Sequence, residues 1–281
     1  MNITKIARKL NKIINPKKPT IAIIRLNGVI GKVGYSSGLS LEAIKHVERV
    51  KKIKNLKAIA LLINSPGGSP VQSELIAKKI SNLAEPKNKK GKRIPIYSFC
   101  EDVAASGGYW LACIGDEIYA SNSSIIGSIG VISQGFGFTE AIKKLGIERR
   151  VYTQGKNKSV LDPFSDTKEE DLEIIKDIQK DIHESFIDYV KTRRIKKLKN
   201  SDDVFTGKFW SGKQAKSLGL IDDIGYYEEV LKDKFGKKIE FKIISAKQGF
   251  LQRKFSSAIN SAIDIFSIRF REILHEEKYK L

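Results

Sequence analysis

The stretch EDVAASGGYWLAC, residues 101–113, sets a lone hydroxyl, Ser106, between two alanines and two glycines. Two readings compete. It is a tight helix entry, or it is a nucleophile cleared of bulk so that a substrate backbone can approach. A serine nucleophile needs a base to take its proton. The chain has three histidines, His46, His183 and His275. The first two fall inside charged amphipathic helices and the third in the C-terminal tail. None follows a strand end, so each reads as a surface or interface histidine. A lysine can act instead, provided its amine is neutral near neutrality, as burial in an apolar site ensures. Lys156 and Lys158, in YTQGKNKSVLDPF (152–164), follow a predicted strand and lie in no charge run. On an extended segment they point to opposite sides, so one of them faces the site.

Acyl chemistry also needs donors for an oxyanion. NSPGGSP (64–70) ends a predicted strand and opens a helix. Gly67 and Gly68 let the backbone turn its N–H groups outward and let substrate come close. GSIGVI (127–132) places a second small hydroxyl, Ser128, between glycines in a strand-like context. Taken singly, these are a strand-to-helix turn and a glycine-kinked strand. Their occurrence in order with Ser106 and the lysine loop favours a site.

The elements that would carry these residues alternate. Apolar runs at 20–31, 56–70, 94–105, 117–132, 147–155 and 238–244 predict strands. Helical spacing marks 40–53 (with Ser40 as N-cap), 71–85, 106–115, 138–146, 167–194 and 210–225. Continuous apolar strands between amphipathic helices indicate an α/β domain with a mostly parallel sheet flanked by helices.

The net charge is +19, and it is unevenly spread. Residues 1–18 carry six Lys/Arg and no acid, 87–93 carry five, and 191–199 carry six. The rest of the chain is nearly neutral. Such runs suit anionic lipid or nucleic acid, or are solvated surface. No base-stacking aromatics interleave with them, which disfavours nucleic acid. Residues 1–18 and 249–281 both read as amphipathic. The first suits an anionic membrane surface or its own body; the second suits a partner, the body or lipid. No run is long and apolar enough to span a bilayer. Cys100 and Cys113 sit in apolar surroundings with no CxxC pair or Cys/His cluster, as expected of reduced, buried thiols in a chain without zinc. The division expected is a basic segment 1–18, a domain 19–245 and an extension 246–281.

NSPGGSP, EDVAASGGYWLA, GSIGVI, GKNKSVLDPF and WSGKQAKSLGLIDDIG together resemble the signal peptide peptidase A family of serine peptidases, in its single-repeat form. The likeness runs from about residue 20 to 240 and keeps motif order. It implies a ClpP–crotonase-like fold. It implies Ser106 as nucleophile, Lys158 as general base and Lys156 nearer the surface. Ser128 would orient the Lys158 amine, and the N–H groups of Gly67 and Gly68 would form the oxyanion hole. Gly107, Gly130 and Val131 would line the path of an extended peptide. No metal or cofactor is implied. The family also implies a homo-oligomeric ring in which serine and lysine meet across subunits. Members usually carry a membrane anchor or signal; with only the basic start, this chain is expected in the cytoplasm, in peripheral contact with the inner membrane. The function so expected is a serine endopeptidase acting on signal-peptide remnants or membrane-derived fragments. Two alternatives stay open: an acyl-CoA enzyme of the crotonase class, and a non-catalytic membrane scaffold.

Overall fold

The computed structural model describes residues 18–33, 36–86, 91–199 and 202–245. These residues, Ser245 apart, belong to one compact unit that closes at Ile244. The amphipathic faces predicted within 1–17 and 249–281 lie outside the described residues.

The strands in chain order are β1 (Thr20–Asn27), β2 (Lys32–Val33), β3 (Ser36–Ser37), β4 (Leu56–Ser65), β5 (Ile96–Ala105), β6 (Glu117–Ala120), β7 (Ile125–Gly127), β8 (Phe209–Ser211), β9 (Asp223–Ile224) and β10 (Glu240–Ile243). The helices are α1 (Pro70–Ala84), α2 (Gly107–Ala112), α3 (Thr139–Lys144), α4 (Glu169–Arg193), α5 (Gly212–Leu218) and α6 (Tyr227–Phe235). The main sheet runs in the order β10-β1-β4-β5-β6-β9, and every pairing along it is parallel. β7 lies parallel to the end of β5 and carries β8 antiparallel on its outer side. β2 and β3 form a separate antiparallel pair.

Both faces of this sheet are covered, which is why its strands read as unbroken apolar runs. Along β4, Ile59, Leu61 and Ile63 enter the larger core with α1, α2, α4 and α5. Ala58, Ala60 and Leu62 enter the smaller core beneath α6, with Ile21, Ile23, Phe99 and Leu231. The expected α/β architecture, a mostly parallel sheet between helices, is therefore the observed one.

Helix ends follow their sequence signals. Ser69 caps α1 by accepting from Gln72 N at 3.4 Å, with Pro70 at the first position. Ser211 and Gln214 form a reciprocal capping box on α5, and Gly219 ends it at φ 78°. The helix predicted over 40–53 differs: it is a 3-10 helix, Lys45–Lys52, preceded by turns. Its buried residues Val47 and Val50, with buried Ile44 just before it, recur every third position, which fits three residues per turn.

The strand predicted at 147–155 does not form. Ile147, Val151 and Tyr152 are exposed, at 54%, 46% and 90%. β propensity needs a partner strand to be realised, and among the described residues none pairs with the segment. Likewise only Ile125–Gly127 of the second half of 117–132 is a strand; Ser128–Ile132 carries no ladder.

Cys100 and Cys113 are free and buried. Burial pushes the Cys113 thiol up to about 12 and that of Cys100 higher still. Thiolate is the reactive form, so neither should react in the folded protein. Titration with a disulfide reagent at neutral pH is expected to find no accessible thiol in the native protein and both after denaturation. Rapid native reaction would show the core around β5 and α2 to be looser than described.

Candidate active site

β4 and β5 both end at the carboxyl edge of the sheet, and there the candidate residues gather. Ser106 follows β5 directly and precedes α2. It has φ 52° and ψ −123°, a sparsely populated conformation for any residue with a Cβ. A serine that merely starts a helix has extended backbone and gives its oxygen to an amide of the first turn. Ser69 and Ser211 cap their helices through side-chain oxygens. Ser106 makes no such capping bond. Its conformation is held by the backbone instead. Its N–H donates to the Gly127 carbonyl at 2.8 Å, and its carbonyl accepts from Tyr109 and Trp110 at 2.9 and 3.0 Å. Below it, Tyr109 is fully buried, and Trp110 stacks on Tyr189 with ring centres 4.7 Å apart. The strained turn thus stands on a rigid base.

The loop after β4 lies against this turn. Gly67 has φ 103°, and a Cβ there would stand 2.7 Å from the Ser106 Cβ and 2.8 Å from the Gly107 nitrogen. At Gly68, φ 143°, a Cβ would run into the Ile30 carbonyl. Only glycine fits either position. The two amides differ. Gly67 N–H donates to Ser65 Oγ at 3.2 Å, while Ser65 donates to the Gly28 carbonyl. Gly68 N–H has no acceptor among the described residues, and Gly68 is exposed.

Pairing of Ala105 with Gly127 brings Ser128 to the same edge. Ser128 also takes a positive φ, 53°, and its N–H donates to the Lys208 carbonyl at 2.7 Å. Gly130 and Val131 follow it, half-buried. Ser106, Gly67, Gly68, Gly107, Ser128 and Gly130 therefore share one edge of the fold.

The lysine loop is not drawn into this cluster within one protomer. From Gly130 to Lys168 no residue is buried. Lys158 sits exposed in a turn, with its backbone N–H on the Gly155 carbonyl at 3.2 Å; its side chain has no hydrogen-bond or ion-pair partner among the described residues. Lys156 pairs with Glu170 at 3.0 Å, both well exposed. The segment keeps its shape through contacts of its own: Phe138 against Phe164, and Arg149 over Phe164 and on Asp162. Among the described residues, no group of three His, Cys, Asp or Glu side chains is arranged to hold a metal ion.

The model of peptidase family S49 matches residues 88–238, more than half of the chain. The chain belongs to peptidase family S49. A protein of Enterococcus faecium named putative signal peptide peptidase SppA is 31% identical over 217 residues, 75% of this chain and 61% of its own. The chloroplastic serine protease SPPA of Arabidopsis thaliana is 32% identical over 212 residues, 73% of this chain and 30% of its own. A protein of Brucella abortus named Na(+)/H(+) antiporter NhaA is 48% identical over 237 residues, 83% of this chain and 32% of its own. This S49 chain thus spans between about a third and three fifths of the length of these relatives. No described helix is long and apolar enough to cross a membrane.

Two features around this edge escaped the sequence reading. His183 is not merely a surface histidine. Its Nε2 lies 3.1 Å from the Ile129 carbonyl, which also accepts from Gly207 N–H at 3.1 Å. It thereby holds the backbone between Ser128 and Gly130. Its spacing from the buried Phe186 and Val190 places it on the inward face of α4, and that was the available signal. The basic run 191–199 is also not all solvated: Arg193 and Arg194 turn inward. Arg193 donates to the Cys113 and Ile114 carbonyls, both at 2.7 Å, and so clamps the far end of α2. Arg194, 1% exposed, pairs with Asp222 at 2.7 Å, and Lys197 reaches the same carboxylate at 2.8 Å.

Proposed function

We propose that this chain is a serine endopeptidase in which Ser106 is the nucleophile and Lys158 the general base. The observation that carries the reading is the Ser106 backbone: a costly positive φ combined with a hydroxyl released from capping. Family membership supports peptidase chemistry. The Ser106 oxygen attacks the scissile carbonyl as the Lys158 amine takes its proton. The proton passes to the departing amine, leaving an acyl-enzyme. Water then hydrolyses the ester: the same lysine takes its proton and passes it to the departing Ser106 oxygen.

The free Gly68 N–H is the favoured oxyanion donor, with Gly107 N–H beside the nucleophile as the second. Gly67 contributes by admitting Ser106 so close, since its own N–H is engaged by Ser65. Ser128 would orient the Lys158 amine. An extended peptide would lie along Gly107, Gly130 and Val131 and add to the unpaired backbone there.

The exposed segment 131–168 supports a homo-oligomer. Ile132, Phe136, Leu145 and Tyr152 stand 79%, 81%, 72% and 90% exposed. Large apolar side chains left this exposed along one segment suit an interface. A second copy seated on it would bring Lys158 to the Ser106 of its neighbour and give 147–155 the partner strand it lacks. The substrates fitting this reading are signal-peptide remnants or other membrane-derived peptides. Contact of residues 1–18 with an anionic membrane belongs to the same reading, on the cytoplasmic side. The acyl-CoA alternative has no use for a strained, uncapped serine.

A fluorophosphonate probe tests the assignment. Stoichiometric labelling is expected on the peptide containing Ser106, with loss of hydrolysis in step. Absence of labelling in an assembled, folded sample would favour the non-catalytic scaffold.

A further inference from the structure

In a parallel sheet all strands are entered from one edge, so the residues before each strand collect there. In this chain those residues are lysines. Lys18 precedes β1; Lys51, Lys52 and Lys54 precede β4, which Lys57 begins; Lys92 and Arg93 precede β5; Lys237 and Lys238 precede β10, which contains Lys242. Because β10, β1, β4 and β5 are neighbours in that order, the cations form one continuous field. Of these, Arg93 is neutralised by Glu85 and Asp116, at 3.3 and 2.7 Å. Lys18, Lys52, Lys54, Lys92, Lys237, Lys238 and Lys242 are exposed and have no ion-pair partner among the described residues. Lys18, Lys52, Lys54 and Lys242, with Thr20 and Glu240, line a depression of about 360 Å³.

The other half of this edge is different. Its acids are matched by cations: Asp116 by Arg93, Glu117 by Lys234, Asp222 by Arg194 and Lys197, Asp223 by Lys216. On this edge, open positive charge is thus concentrated along β10-β1-β4-β5. Residues 1–17, with five Lys/Arg and no acid, join the body at Lys18, in the same place.

We infer that this amino edge of the sheet is an electrostatic docking surface for an anionic phospholipid bilayer, holding the opposite, carboxyl edge with Ser106 turned away from the lipid. Strands of ten residues separate the two edges by roughly 30 Å. Lysine, a compact charge on a flexible stem, suits a fluid field of headgroup phosphates. No exposed aromatic lies in these segments to stack a base, which is the reason to choose lipid over nucleic acid. The inference does not depend on the peptidase assignment.

Co-sedimentation of the full chain with vesicles tests it. The protein is expected to bind phosphatidylcholine vesicles containing phosphatidylglycerol, to ignore vesicles of phosphatidylcholine alone, and to be released by salt. The full-length variant K18Q/K52Q/K54Q/K242Q should partition about a hundredfold or more less, at roughly one tenfold step for each one to two lysines removed. A control variant on exposed lysines outside both this edge and the segment 131–168, K176Q/K180Q/K213Q, should bind like the wild type. Both variants should label with the fluorophosphonate probe as the wild type does. Unchanged binding in the first variant, or equal loss in the second, overturns the inference. So does preference of the wild type for a single-stranded oligonucleotide over the anionic vesicles. Failure of the wild type to label would count against the peptidase reading and leave this result untouched.

Discussion

Ser106→Ala is expected to abolish peptide hydrolysis, by a factor on the order of 10⁴ or more, because no other group can form the acyl-enzyme. The fold should be indifferent. The Ser106 hydroxyl makes no capping bond, so its removal leaves no helix amide short of a partner. Alanine bears the same Cβ and the same positive φ, so the melting temperature should hold. Lys158→Ala should cost as much, and the double variant little more, since the two groups act in one step. The exposed position of Lys158 then allows a sharper experiment. If the dyad forms between neighbours, mixing the two inactive single variants and letting them re-assemble places an intact Ser106 beside an intact Lys158. In a random ring about a quarter of the head-to-tail interfaces would carry that pairing, so a corresponding share of activity should return. No recovery after verified subunit exchange would place the base within the same protomer as its serine, or elsewhere. A Lys158→Ala variant with near wild-type turnover would remove the lysine altogether.

What the sequence conveyed was whatever local chemistry alone determines. β4 and β5 were legible because strands buried on both faces are apolar throughout, and α1 and α5 because Ser69, Ser211 and Gly219 are ordinary helix punctuation. Features that depend on distant partners were not. The segment 147–155 has strand composition, yet composition does not supply a neighbouring strand. Ala-Ser-Gly-Gly reads equally as a helix start, and nothing in those letters announces a φ of 52° at Ser106. That angle follows from the Gly127 carbonyl, some twenty residues on, capturing the Ser106 amide. The direction of the Gly67 amide depends in the same way on Ser65 and Gly28. The run 191–199 misled because charge count says nothing about burial; Arg193 and Arg194 face carbonyls and a carboxylate rather than solvent.

That buried pair sets the second large effect. Arg194 is 1% exposed; its guanidinium donates to the Gly219 carbonyl at 2.7 and 3.1 Å and to Asp222 at 2.7 Å. Asp222 also accepts from Ile118 N–H at 2.7 Å, so the pair ties the end of α4 to the turn after α5 and to β6. Burial alone would raise the Asp222 carboxyl, but hydrogen bonds from Arg194, Lys197 and Ile118 outweigh it and hold the group below its usual range. Asp222→Asn leaves Arg194 as an uncompensated buried cation, and the expected loss is about 3 kcal/mol, or roughly 10 °C in melting temperature for a chain of this size. The pH dependence has a definite sign. A carboxyl whose folded value is depressed stabilises fully above its unfolded value, near 3.9, and that contribution fades as pH falls through the folded value. The gap between wild type and Asp222→Asn should therefore be constant around neutrality and narrow below about pH 4. Replacing both partners with apolar residues, Arg194→Met with Asp222→Leu, removes the stranded charge and should recover most of the loss. A double variant no more stable than Asp222→Asn would mean that the bonds to Gly219 and Ile118, rather than the ion pair, hold α4 in place. Because Arg193 next door clamps the end of α2, melting of this junction should also slow fluorophosphonate labelling of Ser106, well away from the substitution.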